Sequence, residues 1–203
     1  MTTGHIKRHW TKKVTGEAPI DFYDHFFIDE LEFQSDFGLR AFGEMQQAYK
    51  ANNQNPTLIA LAHVLLVFAN NVGKILSPSK NASRKAHARA KRLTETLGLQ
   101  EVDFEQIRHA RNYFEHFDER IERYIDSHNG LLIYRKVLDH HPTAVELDDG
   151  RTFAPHFLQF LNTTSLELTL YDQKFDVSEI VKQLQSVQTK IKEWRESQTP
   201  REV

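Results

Sequence analysis

Residues 103–138, DFEQIRHARNYFEHFDERIERYIDSHNGLLIYRKVL, contain the point at which the chain changes its structural period. With Phe104 at zero and about 100° of rotation per residue, Tyr113, Phe117, Ala110, Ile121, Phe114, Ile107 and Ile125 fall within an arc of roughly 120°. That pattern predicts one helix from about Asp103 to about Ser127. His128-Asn129-Gly130 stops it, and GLLIYRKVL (130–138) is short and rich in β-branched and aromatic residues, the composition of a strand.

The helical period extends upstream. Phe26, Phe33, Phe37, Ala41, Met45 and Ala48 recur at helical spacing between about Asp21 and Asn53, where NNQNP (52–56) ends the run. A second helix follows from Thr57 to about Leu76, closed by SPS. It is apolar nearly all round and so is expected at the centre. Its run LIALAHVLLVFA (58–69) is shorter than the ~18 residues of a membrane helix and carries His63, expected as a hydrogen-bonded core histidine. A third helix, Ser83 to Leu97, is short and basic and stops at Gly98. Residues 1–20, with His5, Lys7, Arg8, His9, Lys12 and Lys13, read as a basic arm.

The strand period extends downstream. VELDDGRTFAPHFLQF (145–160) and SLELTLYDQKF (165–175) are separated by turn signals, and DDG (148–150) suits a hairpin. Leu166, Leu168 and Leu170 alternate with Glu167 and Thr169. These segments predict a small antiparallel meander. Asp176 and Glu179 have capping-box spacing and open a last helix to about Ser197. The expected architecture is mainly α: a four-helix bundle over 21–128, then a β-meander and C-terminal helix over 129–203 packed on the bundle, one compact domain overall.

Composition narrows the function. The 203 residues contain no cysteine, which excludes disulfides and thiolate metal sites. The basic start lacks a following apolar segment, so no signal peptide is expected and the expected location is the cytoplasm. A net charge of −2 argues against a general polyanion binder. KNASRKAHARAKR (80–92) nonetheless makes a local basic stripe, with Arg84, Arg89 and Arg92 placed for phosphate contacts. His5 with His9, His87, and His140-His141 lack convincing further ligands, so no metal is expected. Phosphate-cradling glycine loops, nucleophile elbows and paired carboxylates are absent.

The fourth helix places Arg111, Asn112, Glu115 and His116 around one polar face within about two turns. Ordinary surface pairing explains such a face: Arg111 with Glu115, and Glu119 with Arg120 and Arg123, at a few tenths of a kcal/mol each. The same residues, Arg111-Asn112-Tyr113-Phe114-Glu115-His116, resemble the Arg-x4–6-His motif of the HEPN superfamily of helical toxin and defence proteins. Asn70-Asn71-Val72-Gly73-Lys74-Ile75-Leu76 is similar to the same place in HEPN-like bacterial proteins. Four Arg-x4-His matches occur in the chain. Those at Arg123/His128, Arg135/His140 and Arg151/His156 fall at a helix end, on a strand and across Pro155, so only Arg111/His116 has helical context.

The resemblance covers roughly 21–128 and implies a homodimer whose two motifs meet in a cleft. It implies a metal-independent endoribonuclease without cofactor, with Arg111, His116 and Asn112 catalytic and an antitoxin protein as a further partner. Glu115 and the basic stripe would line the RNA path. The alternative is a non-catalytic HEPN-like module binding RNA, a nucleotide or a protein. No membrane association is expected.

Overall fold

A computed structural model of the chain describes residues 22–127, 133–146, 150–153, 155–171 and 173–198. The basic arm, Asp148-Asp149 and His128 lie outside the described residues.

The helical half matches its expected order. Helix α1 spans Phe22–Ala51, α2 Thr57–Leu76, α3 Arg84–Leu97, α4 Glu105–Glu115 and α5 Phe117–Ser127. Local chemistry sets several ends. The Ser83 hydroxyl accepts from the Ala86 N–H at 3.2 Å and starts α3. Gly98, at φ 64°, ends it with the left-handed residue that lets the Leu99 N–H return to the Thr94 carbonyl. Helix α2 packs between α1 and α4 and buries eleven residues along its length. By length and composition it is apolar enough to cross a membrane, more so than its uninterrupted apolar run suggests. Here it is the core helix.

One helix is not continuous. At His116 the backbone turns to φ −131°, ψ 30°, and α4 ends there. The His116 N–H is held by the Tyr113 carbonyl at 3.2 Å, and α5 restarts at Phe117. Beyond the break one expected core residue turns outward. Tyr124 is buried and Ile125 is 56% exposed, reversing the single-helix expectation for Ile125. Ile107, Ala110 and Tyr113, before the break, are fully buried as expected.

The sheet is mixed, not an antiparallel meander. Strands β1 (Ile133–Leu138), β4 (His156–Asn162), β5 (Glu167–Leu170) and β6 (Gln173–Asp176) lie in the order β1-β4-β5-β6. β1 runs parallel to β4, while β4, β5 and β6 are antiparallel. The segment between β1 and β4 is long enough to return to the starting end, as a parallel pair requires. It carries a separate antiparallel pair, β2 (Val145–Glu146) with β3 (Thr152–Phe153), so the segments on either side of DDG pair with each other. Leu168 and Leu170 are buried, whereas Leu166 sits in the preceding turn at φ 55°.

The C-terminal helix α6 (Val177–Gln198) packs on α1. Asp176 caps it, accepting the Glu179 N–H at 2.9 Å and the Ser178 hydroxyl at 2.6 Å. Glu179 does not complete the capping box, because its carboxylate meets Lys182. The Asp176 N–H goes instead to the Gln106 side chain of α4 at 3.2 Å, and Gln183 of α6 accepts the Ile107 N–H of α4 at 3.1 Å. Two glutamines thus exchange caps between the starts of α4 and α6, satisfying backbone donors that neither helix satisfies alone.

Candidate functional site

The site begins with a glycine. A Cβ on Gly73 of α2 would stand 2.9 Å from Ile107 Cγ2 and 3.6 Å from Arg111 Cβ, so only a bare backbone lets α4 come this close. That approach carries Arg111 inward. It is 7% exposed, where the single-helix arc placed it on a shoulder of the core. Its Nη1 donates to the Ser77 carbonyl just past α2, and its Nε (3.2 Å) and Nη2 donate to Asn112 Oδ1. Glu115 lies 3.8 Å away. A guanidinium here meets the negative end of the α2 dipole as well as a carbonyl that the helix leaves without an internal partner. Three of its five N–H groups are engaged in these bonds, leaving one on each terminal nitrogen.

His116 has other surroundings. Its side chain is 57% exposed, and Nδ1 lies 3.5 Å from Glu119 Oε2. It stands in the break between α4 and α5, so the motif is not carried on one helix face as expected. Asn112 and Glu115 are exposed on the last turns of α4. The structure therefore groups Arg111, Asn112 and Glu115 at the end of α2, and sets His116 at the outer end of the same short helix.

The basic helix divides three ways. Arg89 reaches the Lys74 carbonyl at 3.4 Å and stacks 4.2 Å over the Phe27 ring. It converges with Arg111 on the last turn of α2. Arg92 is instead locked in a two-pronged pair with the buried carboxylate of Asp24, both bonds at 2.9 Å. Arg84 is exposed on the first turn of α3. Of the three, Arg84 faces solvent, Arg89 serves the α2 end, and Arg92 holds α3 to α1.

Other side chains make contacts that the sequence reading did not assign. Asn71 donates to Gln34 of α1 at 2.9 Å, and Asn70 lies buried beside it, donating to Asn71 at 3.4 Å. Paired asparagines in an apolar helix were the available signal. His63 packs near the Phe114 ring, and burial, reinforced by Arg135, pushes its pKa below 6.5. No hydrogen bond to it occurs among the described residues, so its expected role is corrected to packing. Burial likewise lowers the pKa of His109, which lies 4.7 Å from the Phe175 ring. Among the described residues, no three His, Asp or Glu side chains could hold a metal ion. A cavity of about 320 Å³ between Phe42, Met45, Lys50, Leu58 and Leu166 is lined by none of the candidate residues. In comparisons with family models, curated proteins and solved structures, the chain matches none.

Proposed function

We propose that the chain is a HEPN-like homodimer that acts on RNA in the cytoplasm as a metal-independent endoribonuclease. The supporting observation is a permanently charged Arg111, anchored at the α2 end with two N–H groups to spare, on the same short helix that ends in the exposed His116. Cleavage by the ribose 2′-hydroxyl requires a base for its proton, an acid for the departing 5′-oxygen, and positive charge beside the phosphorane. Histidine performs the proton transfers near neutral pH. A preorganised guanidinium supplies the charge, and Asn112 orients it. A second copy contributes the second His116, so that one acts as base and the other as acid. Arg84 and the exposed Lys85 offer phosphate contacts, and an antitoxin protein is the partner that would cover them.

A second reading rests on one specific feature. Arg111 is nearly closed off, and its first partners are the protein's own Ser77 carbonyl and Asn112. On that footing the motif is a structural clasp, and the protein binds RNA, a nucleotide or a protein without cleaving. The full chain incubated with RNA in EDTA separates the two. The enzyme reading expects cleavage that falls about 100-fold or more in His116→Ala. His140→Ala and His156→Ala should stay within a few-fold. Binding without cleavage selects the second reading. If the RNA is neither bound nor cleaved, the enzyme reading and the RNA-binding form of the second reading both fail.

A further inference from the structure

The outer face of α1 and α2 carries apolar surface that the fold leaves uncovered. Phe33 and Phe37 of α1 are 49% and 39% exposed, and Val64 and Val67 of α2 are each 42% exposed. The Phe33 and Phe37 rings lie 4.5 Å apart, and Phe37 lies 5.6 Å from Phe68 of α2, whose helical spacing puts Val64 and Val67 on the same face. Together these side chains present roughly 300 Å² of apolar area, the scale at which surface patches mark contact sites. The patch lies on a regular stripe. Glu30, Phe33, Phe37, Arg40 and Glu44 are all exposed and alternate spacings of three and four, the repeat of a helix seam.

The charges on that stripe complement one another under a two-fold axis. Place two α1 helices antiparallel about Ser35, which faces inward. Residue numbers across the seam then sum to a constant. Phe33 meets Phe37 of the other copy and Glu30 meets Arg40, each contact occurring twice, as isologous pairing demands. Arg40 already lies 5.4 Å from the Phe37 ring and pairs with Asp36, which holds it on the seam. The common length of α1 and α2, with the α1 overhang, offers about 750 Å² per protomer, close to the ~800 Å² of a standard interface.

We infer that a second copy of this chain docks here, through an antiparallel α1–α1 seam centred at Ser35 and flanked by Val64 and Val67. This goes beyond the proposed function, because the contact requires neither RNA nor catalysis.

The test is sedimentation of the full chain with charge-exchange variants. The wild type should sediment at twice 23.7 kDa. Glu30→Arg alone, or Arg40→Glu alone, touches two contacts and should weaken the dimer about tenfold, while the double exchange should restore it to within a few-fold. Phe33→Glu with Phe37→Glu should give a monomer with unchanged helical circular dichroism. Because the chain has no cysteine, Phe33→Cys with Phe37→Cys should crosslink between chains on oxidation. A wild-type monomer at about 100 μM overturns the inference, since a standard-size interface would be populated there. So does a dimer indifferent to the α1 changes but dissociated by Asn112→Ala or His116→Ala. A seam that behaves as inferred in a protein that neither binds nor cleaves RNA leaves the inference standing and the proposed function refuted.

Discussion

Replacing Arg111 with alanine should destabilise the fold, although the single-helix arc put this residue on a shoulder where removal leaves the fold intact. The cost follows from its contacts. The charged bond to the Ser77 carbonyl contributes about 1.5–3 kcal/mol. The Glu115 pair adds only a few tenths, because Glu115 is about one-third exposed. Burial of the aliphatic stem beyond Cβ adds about 1 kcal/mol. The sum, about 3–4 kcal/mol, is a large share of the 5–15 kcal/mol typical of a domain. Arg111→Lys keeps the charge at the α2 end but loses the fork to Asn112, and should cost about 1 kcal/mol. Urea unfolding of the full chain measures both, provided the slope stays constant. An Arg111→Ala midpoint within about 1 kcal/mol of wild type would refute the clasp. If the clasp holds, lost RNA cleavage in Arg111→Ala has two explanations, and Arg111→Lys becomes the informative variant.

Burial holds the folded-state pKa values of His63 and His109 below 6.5, so the unfolded chain takes up protons first as pH falls. Stability should therefore be full above about pH 7 and decline as pH drops through 6.5 toward the folded values. Unfolding midpoints that stay flat between about pH 7.5 and 5.5 would refute this, and His63→Asn should flatten part of the slope. Gly73→Ala should lose about 1 kcal/mol, overpacking against Ile107 outweighing the gain in helix propensity. Gly43→Ala, with nothing within 4 Å of the new carbon, should gain up to about 1 kcal/mol in the same melt. RNA affinity should respond to Arg84→Gln, Lys85→Gln and Lys91→Gln together, with a shallower salt slope in a filter-binding titration. Arg92→Gln should act on the melt instead, by about 2 kcal/mol, because it strands the buried Asp24 carboxylate.

The elements that were readable in the sequence are those whose ends are written locally. Pro56 and Thr57 open α2, Ser83 and Gly98 bracket α3, and Asp176 starts α6, each within a residue of expectation. The parallel pairing of β1 with β4 was not readable, because strand direction depends on where the intervening hairpin returns the chain. Nor was the break at His116. Residues 113–118 contain no glycine or proline, and their periodicity continues without a flaw.

The break correlates with contacts far away in sequence. The Tyr124 hydroxyl bonds the Phe157 carbonyl at 3.2 Å, and its ring lies 5.7 Å from Tyr171. With the same increment of about 100° per residue, Tyr124 lies inside the core arc of a continuous helix, so its burial is expected either way, and the break shows in the exposure of Ile125. The two ends of the motif have different surroundings. Arg111 is drawn inward by the bare backbone of Gly73, and His116 stands exposed where α4 and α5 part. Helical spacing alone puts both on one polar face, and it fails for Arg111 because that burial depends on a glycine of α2 that the spacing does not contain. The same separation gives the arginine its fixed position and the histidine its access to solvent. An anchored charge and an accessible proton carrier are what the proposed chemistry needs from one chain, and the second histidine must come from a second chain.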